Sequence, residues 1–272
     1  MEFVDFGTGA RGGDIGLLFP GWKKGESVAF LSPHDDDAAL GAGYLLRAVK
    51  KAGGRPLVFV FCKGDAGYST AEEKRTIVTR RRREAVAAYG LLGVPPEDVH
   101  FFGRPDLSLM GHVDRIMADG RKGVVDELLC VLRARRAGRV VFTSPHYENW
   151  DHTAVHYLGM YVAPQAGDPI LADLGTPSPV LSMLVYSVWG DLAPKAGGGL
   201  GADLGILAGD RDEQAVRKAL AAFASQATIL ENTVAARRDA RRGPDGWLEI
   251  YGRAAVREPV DHLAYFRELG RS

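Results

Sequence analysis

The chain has 272 residues, of which 46% are apolar and 25% charged, and its 34 Lys and Arg balance 34 Asp and Glu. That balance excludes a generally basic nucleic-acid binder and an acidic disordered chain, and the length suffices for one α/β domain over residues 1–272 with a large core. Two cysteines, Cys62 and Cys130, each lie in an apolar stretch, read as buried thiols and exclude a disulfide framework, which suits a reducing cytoplasm.

The first residues, MEFVDFGTGARGGDIG, carry acids and glycines where a signal peptide needs a basic start and an apolar stretch. No apolar run approaches the ~18 residues of a membrane span. The chain therefore reads as soluble and cytoplasmic, with neither membrane nor nucleic-acid partner. Gly7 to Gly12 fit G-x-G-x-x-G, but the following GDIGLLFPGW would not continue as a helix, so the dinucleotide reading is set aside.

Short apolar strands then alternate with helical patterns. Ser27–Ser32 reads as a buried strand and Ala38–Ala52 as a helix with Leu40, Leu45 and Val49 inward. Pro56–Cys62, a β-branched and aromatic run between glycines, reads as a doubly covered parallel strand. A long helix is predicted from Thr70 to Leu92, a strand over Val99–Phe102, and mostly helix over Val113–Ala137. The strand Arg139–Thr143, the helix Asp151–Tyr161, the strand Val180–Val188 and the amphipathic helix Asp210–Leu230 complete the series. The order predicts an α/β fold, a Rossmann-like doubly wound, mostly parallel sheet with helices on both faces. The glycine-rich stretch 193–209 looks too irregular for the core and reads as a lid or an oligomer contact, and the segment from Arg237 to Gly246 as an exposed turn.

Ligands of such sheets bind in the loops past the carboxyl ends of the strands. The loop after the first of these strands reads Pro33-His34-Asp35-Asp36-Asp37-Ala38. A helix start explains one or two of these aspartates, but not three beside a histidine, and a divalent cation relieves their repulsion. The loop after Arg139–Thr143 reads His146-Tyr147-Glu148-Asn149-Trp150-Asp151-His152, again rich in His and carboxylate at the same sheet edge. Nitrogen and oxygen donors without thiolate suit catalytic zinc, or another divalent transition metal. His156, one helical turn after His152, reads as an interior histidine satisfied by its neighbours.

These two loops resemble the signatures A-H-P-D-D-E and H-P-D-H of the PIG-L/LmbE-type zinc-dependent de-N-acetylase family. The resemblance implies metal ligands at His34, Asp37 and His152 and a catalytic base at Asp36. It continues through Lys63-Gly64-Asp65-Ala66-Gly67, similar to T-x-G-E-x-G, and through Arg81 and Glu84, similar to R-x-x-E. Lys218 to Gln226 is similar to K-x-A-x-x-x-H-x-S-Q, with Phe223 where His is usual, and Glu249-Ile250-Tyr251 resembles the terminal glutamate segment.

Three positions depart from the family pattern. Asp35 stands where the family has Pro, Ala38 where it has Glu, and Asn149 where it has a histidine that assists the reacting amide. His146, three residues before Asn149, is the candidate replacement for that histidine. Arg81, Lys63, Asp65 and Asn149 are the candidate substrate contacts, although the neighbours of Arg81 in the run Arg80 to Arg83 read as a solvated face.

The implied reaction is hydrolysis of an N-acetyl or related N-acyl group on a small amino-sugar substrate, in which zinc activates a water and Asp36 takes its proton. A magnesium-dependent phosphohydrolase is the rival enzyme, disfavoured by the histidines. A non-catalytic carbohydrate-binding or regulatory relative is the rival from another class. A homo-oligomer is compatible with the sequence.

Overall fold

The structure is a computed structural model and describes residues 1–146, 148–189, 192, 201–257 and 261–270. Two short strands, β1 (Glu2–Asp5) and β2 (Arg11–Gly12), open the chain. Then follow β3 (Ser27–Ser32), α1 (Asp37–Lys51), β4 (Arg55–Cys62), α2 (Ile77–Leu91), β5 (Val99–Arg104), α3 (Val125–Ala134) and β6 (Ala137–Thr143). The second half holds α4 (Trp150–Tyr157), β7 (Ser182–Tyr186), β8 (Leu204–Ala208), α5 (Asp210–Leu220), α6 (Ala227–Arg241), β9 (Arg242–Gly243), β10 (Gly246–Ala254) and α7 (His262–Glu268).

The strands form one sheet in the order β2-β1-β8-β10-β7-β6-β3-β4-β5, with β9 paired to β10. The block from β7 to β5 is parallel, as the uninterrupted apolar strands predict. Beyond it β10, β8 and β1 join antiparallel, which makes the sheet mixed. Along β3 the side chains alternate between two cores: Val28 and Phe30 pack under α1, α2 and α5, while Ala29 and Leu31 pack under α3 and α4. Burying each such Val, Leu or Phe contributes roughly 1.5–3 kcal/mol.

β3 lies between β4 and β6. From β3 the chain progresses outward through β4 and β5, and then returns to the other side of β3 for β6 and β7. The strand order therefore reverses between β3 and β6, where a doubly wound sheet opens a crevice. Both motif loops leave the sheet at that crevice.

Several boundaries differ from the sequence reading. The stretch Val113–Ala137 is helical only over α3, because residues 117–120 turn back and Ile116 bridges Lys122. The long helix after β4 begins at Ile77, and the Asp210–Leu230 pattern breaks into α5 and α6 around Phe223. Leu204–Ala208, assigned to an irregular segment, is the buried strand β8, held between β1 and β10. Its apolar residues gain a sheet partner on each side, which the glycines before them conceal in the sequence. The lid or oligomer reading of residues 193–200 lies outside the described residues. Arg237, assigned to an exposed turn, is buried within α6, and Cys130 is exposed on α3, whereas Cys62 is buried as expected.

α1 contains a break at Ala42 (φ −135°, ψ 29°). The carbonyl of Leu40 accepts from Arg237 and Arg241, and the amides of Tyr44 and Leu45 donate to Glu249 Oε1 at 3.0 and 3.1 Å. Side chains from α6 and β10 thus replace the helical hydrogen bonds that the break removes. Gly41 permits the close approach, since a Cβ there would stand 2.1 Å from the Tyr186 ring.

Candidate metal centre

His34 and Asp37 leave the end of β3 as α1 begins, and His152 sits in the first turn of α4 after β6. One ligand atom from each of these three residues lies within 4.8 Å of the others. Asp37 Oδ2 is 3.2 Å from His34 Nδ1 and 3.2 Å from His152 Nε2, and it accepts the His34 backbone N–H at 2.7 Å. Adjacent strands therefore bring together residues 118 positions apart in sequence.

A carboxylate backs each histidine. Asp151 Oδ2 lies 3.2 Å from His34 Nε2 and is itself fixed by the amides of Leu107 and Leu109. Glu148 Oε2 lies 2.9 Å from His152 Nδ1, while Oε1 accepts from Ser187 Oγ, Val188 N and Trp189 N. The carboxylate behind His34 fixes its tautomer and directs Nδ1 inward, as behind histidines that bind metals, whereas Glu148 Oε2 makes no hydrogen bond and His152 Nδ1 meets Thr143 Oγ1 at 3.3 Å. His152 Nε2 is buried and has no hydrogen-bond partner. A buried nitrogen without a hydrogen bond, facing a carboxylate and a second imidazole, fits a cation and is costly without one. The residues present fit a transition metal with nitrogen and oxygen donors.

The three aspartates separate by role. Burial would raise the Asp37 carboxyl, but His152 and His34 hold it well below the usual range. Burial pushes Asp36 up to about 7, helped by the neighbouring Asp35 and Asp37 carboxylates. Asp36 is the residue before α1 and makes no side-chain capping bond, so helix capping does not account for it. Asp35 pairs with Arg81 through both Nε and Nη2, and Arg81 Nη2 also lies 3.8 Å from Asp36. Burial disfavours the charge of His152, yet Asp37 and Glu148 raise it to about 9.

Arg81 is the buried member of its arginine run, whereas Arg80, Arg82 and Arg83 are exposed. It lies across the loop after β4, where a Cβ on Gly67 would meet Arg81 Nη1 at 2.0 Å. Lys63 and Asp65 pair with each other at 3.0 Å, and Asp65 accepts from the Asp106 amide. Asn149 caps α4, its side-chain oxygen accepting from Asp151 N and His152 N at 2.9 and 3.2 Å. It therefore fixes the turn that presents His152. His146 is exposed, with its amide on Ser144 Oγ, and does not join the triad. Tyr147 lies outside the described residues. His156 Nδ1 is bonded to the Thr143 carbonyl at 3.0 Å, the satisfied interior histidine that was expected.

Sequence reasoning passed over Glu148 and Asp106 and gave Asp151 no role. Both Glu148 and Asp151 flank the motif histidine, and this proximity was the only signal available.

Residues 29–163 match the model of the family described as PIG-L, GlcNAc-PI de-N-acetylase. The chain carries a PIG-L domain. The matched residues include both motif loops of the PIG-L domain, and the strands and helices after them complete the sheet. No curated protein matches the chain.

Among solved structures, the N,N'-diacetylchitobiose deacetylase from Pyrococcus horikoshii superposes with a TM-score of 0.70 at 18% identity, covering 88% of each chain. The conserved protein TT1542 from Thermus thermophilus gives 0.65 at 23% identity, over 86% of this chain and 97% of its own. GalB, the 4-carboxy-2-hydroxymuconate hydratase from Pseudomonas putida, gives 0.55 at 18% identity, over 87% and 98%. At these identities the likeness is one of fold, and the same fold serves a deacetylase and a hydratase.

Later segments that resemble the family hold the PIG-L domain together. Glu84 accepts from Ser225 N and Oγ, and Gln226 donates to the Gly67 carbonyl, so the start of α6 is tied to α2 and to the loop under Arg81. Phe223, where His is usual, packs edge-on against Tyr89 in the core.

Proposed function

We propose that the chain is a metal-dependent N-deacetylase that hydrolyses an N-acetyl or related N-acyl group on an amino sugar or its conjugate, with zinc held by His34, Asp37 and His152. The observation that carries this reading is the pair of histidines converging on Asp37, each with a carboxylate beside its outer nitrogen, and with His152 Nε2 buried 3.2 Å from Asp37 and without a hydrogen bond. Bound zinc supplies Lewis acidity and lowers the pKa of water to near neutrality.

The protein groups divide the remaining work. Asp36, buried and held near 7, takes the proton of the attacking water as the C–O bond forms. It then returns that proton to the amine nitrogen as the C–N bond breaks, releasing acetate and a primary amine. Asp151 and Glu148 hold the two imidazoles in place. Asp35 occupies Arg81, which keeps the guanidinium beside Asp36 without letting it neutralise that base. His146, exposed beside the α4 turn, is the candidate donor to the developing oxyanion, with the amide NH2 of Asn149, whose oxygen alone is used in the cap, as the alternative.

Magnesium-dependent phosphoryl chemistry is disfavoured by two imidazole donors in the triad. A non-catalytic role leaves the buried carboxylate of Asp36 without a purpose. The test is release of primary amine across a panel of N-acetylated amino sugars and their conjugates, run beside elemental analysis of the purified protein. Amine release with about one zinc per chain is expected, and zinc-free protein that turns over the same substrates would refute the metal reading.

A further inference from the structure

His34 has a second cluster on its other edge. Nδ1 faces Asp37 and His152, while Nε2 faces Asp151. The buried Cys62 lies on that same edge, and ligand atoms of His34, Cys62 and Asp106 lie within 4.8 Å of one another. These three residues come from the ends of the neighbouring strands β3, β4 and β5, as the triad comes from β3 and β6. His34 stands in the middle and belongs to both groups.

The second cluster is built in advance. Asp106 is oriented by the amides of Gly64 and Ala66, at 2.7 and 3.0 Å, and its own amide donates to Asp65. Cys62 is 1% exposed, and the half-buried Asp106 beside exposed Leu107 gives the way in. Nitrogen, thiolate and carboxylate donors together favour zinc, cobalt or cadmium, and the thiolate disfavours magnesium and calcium.

We infer that His34, Cys62 and Asp106 form a second cation site through which excess zinc, or another thiophilic divalent cation, inhibits the protein. Binding there breaks the Cys62 S–H and the His34 Nε2–H bonds, sends both protons to solvent, and forms metal–sulfur and metal–nitrogen bonds with no change of oxidation state. Asp151 then loses the N–H that it holds, and one imidazole serves two cations. The triad grips its own metal less well as a result. The inhibition rests on the deacetylase reading above, whereas the binding does not.

The experiment titrates cobalt into metal-free protein carrying Cys130→Ser, which removes the exposed thiol. The first equivalent is expected to give ligand-field bands without thiolate character, and the second to add a thiolate-to-cobalt charge-transfer band in the near ultraviolet. Cys62→Ser should abolish only the second step, and Asp106→Asn should weaken it at least tenfold. With turnover as the readout, Cys62→Ser should keep activity at one zinc per chain and shift the inhibitory zinc concentration upward by tenfold or more. No charge-transfer band at any cobalt excess, the same band in Cys62→Ser, or unchanged zinc inhibition in that variant would overturn the inference. Loss of the first bands in His152→Ala reports on the triad separately, so failure of the triad and failure of the second site are told apart.

Discussion

Asp36 and Asp37 are adjacent in sequence and face opposite electrostatic conditions. Two imidazoles hold Asp37 well below the usual carboxylate range against its burial, whereas burial, with a carboxylate on either side, pushes Asp36 up to about 7. On the proposed reading, that separation suits one to be the ligand and the other the base. Asp36→Asn should therefore retain metal by elemental analysis while kcat falls by about 10²–10⁴, the usual worth of a positioned base. Turnover near the wild-type rate in that variant would remove Asp36 from the mechanism. The carboxylates behind the histidines have a different signature. Glu148→Ala or Asp151→Ala should weaken metal affinity by about 10–100-fold in a chelator competition, as loss of such supporting groups does. Unchanged affinity would mean that packing alone orients the imidazoles.

At this scale the triad was legible in sequence because histidine and aspartate crowd two strand ends. Asn149 was legible as a departure but not as a helix cap, since its oxygen is spent on backbone groups that only the folded turn exposes. The pairing of Arg81 with Asp35 was hidden for a related reason. Arg80 to Arg83 are alike in composition, and only the inward face of α2 distinguishes one of them.

α1 shows how an element can depend on distant side chains. Its break at Ala42 is spanned by Glu249, which accepts from Tyr44 N, Leu45 N, the Tyr251 hydroxyl and Arg241, and by Arg237 and Arg241 on the Leu40 carbonyl. Glu213 closes the cluster by pairing with Arg237 at 3.1 Å and accepting from Tyr44 Oη at 2.5 Å. Glu249→Ala leaves Arg241 and two amides without their acceptor and should cost about 3–5 kcal/mol in denaturant unfolding, as removing one partner of a buried pair does. A loss below about 1 kcal/mol would show that the break is held by packing instead.

The antiparallel edge is fastened by Asp5, whose Oδ2 accepts from Arg253 on β10 at 2.7 Å and whose Oδ1 accepts from Gly7 N and Thr8 N at 2.9 Å. Arg253 and these amides hold the carboxyl down to about 2 against an ordinary value near 3.8. A lowered folded-state pKa stabilises above the unfolded value and is lost as pH falls through the folded one. The difference in Tm between the wild type and Asp5→Asn should accordingly be constant above about pH 4 and shrink between pH 4 and 2. A difference that does not vary with pH would show that the Asp5 charge is not what fastens the edge.

Elements were legible where the apolar pattern was continuous. β3, β4 and β6 announce themselves because both faces are covered. β8 did not, since glycine-rich sequence precedes it and its burial depends on β1 and β10, distant in the chain. The false helix over residues 113–124 follows the helical spacing of Val113, Ile116 and Met117, whereas Asp119-Gly120 and Gly123 mark the turn that breaks it.

Across the whole molecule, the position of the triad follows from topology. The switch between β3 and β6 places two acid- and histidine-rich loops side by side, and the sheet beyond β7 adds the buttress that α1 requires. The fold class could be read from the alternation of strands and helices, but the antiparallel extension could not, because pairing partners leave no local mark. Zero net charge likewise conceals a concentrated acidic loop that is compensated by Arg81 and the two imidazoles, with room for one cation. The structural match to both a deacetylase and a hydratase means that chemistry must be argued from the triad and Asp36.

The most direct test is amine release from N-acetylated amino sugars by chelator-treated protein, before and after one equivalent of zinc, with His152→Ala carried in parallel. The account predicts that activity disappears on chelation, returns with zinc in the wild type, and does not return in His152→Ala. Undiminished amine release from the metal-free wild type, or full recovery in His152→Ala, would contradict it.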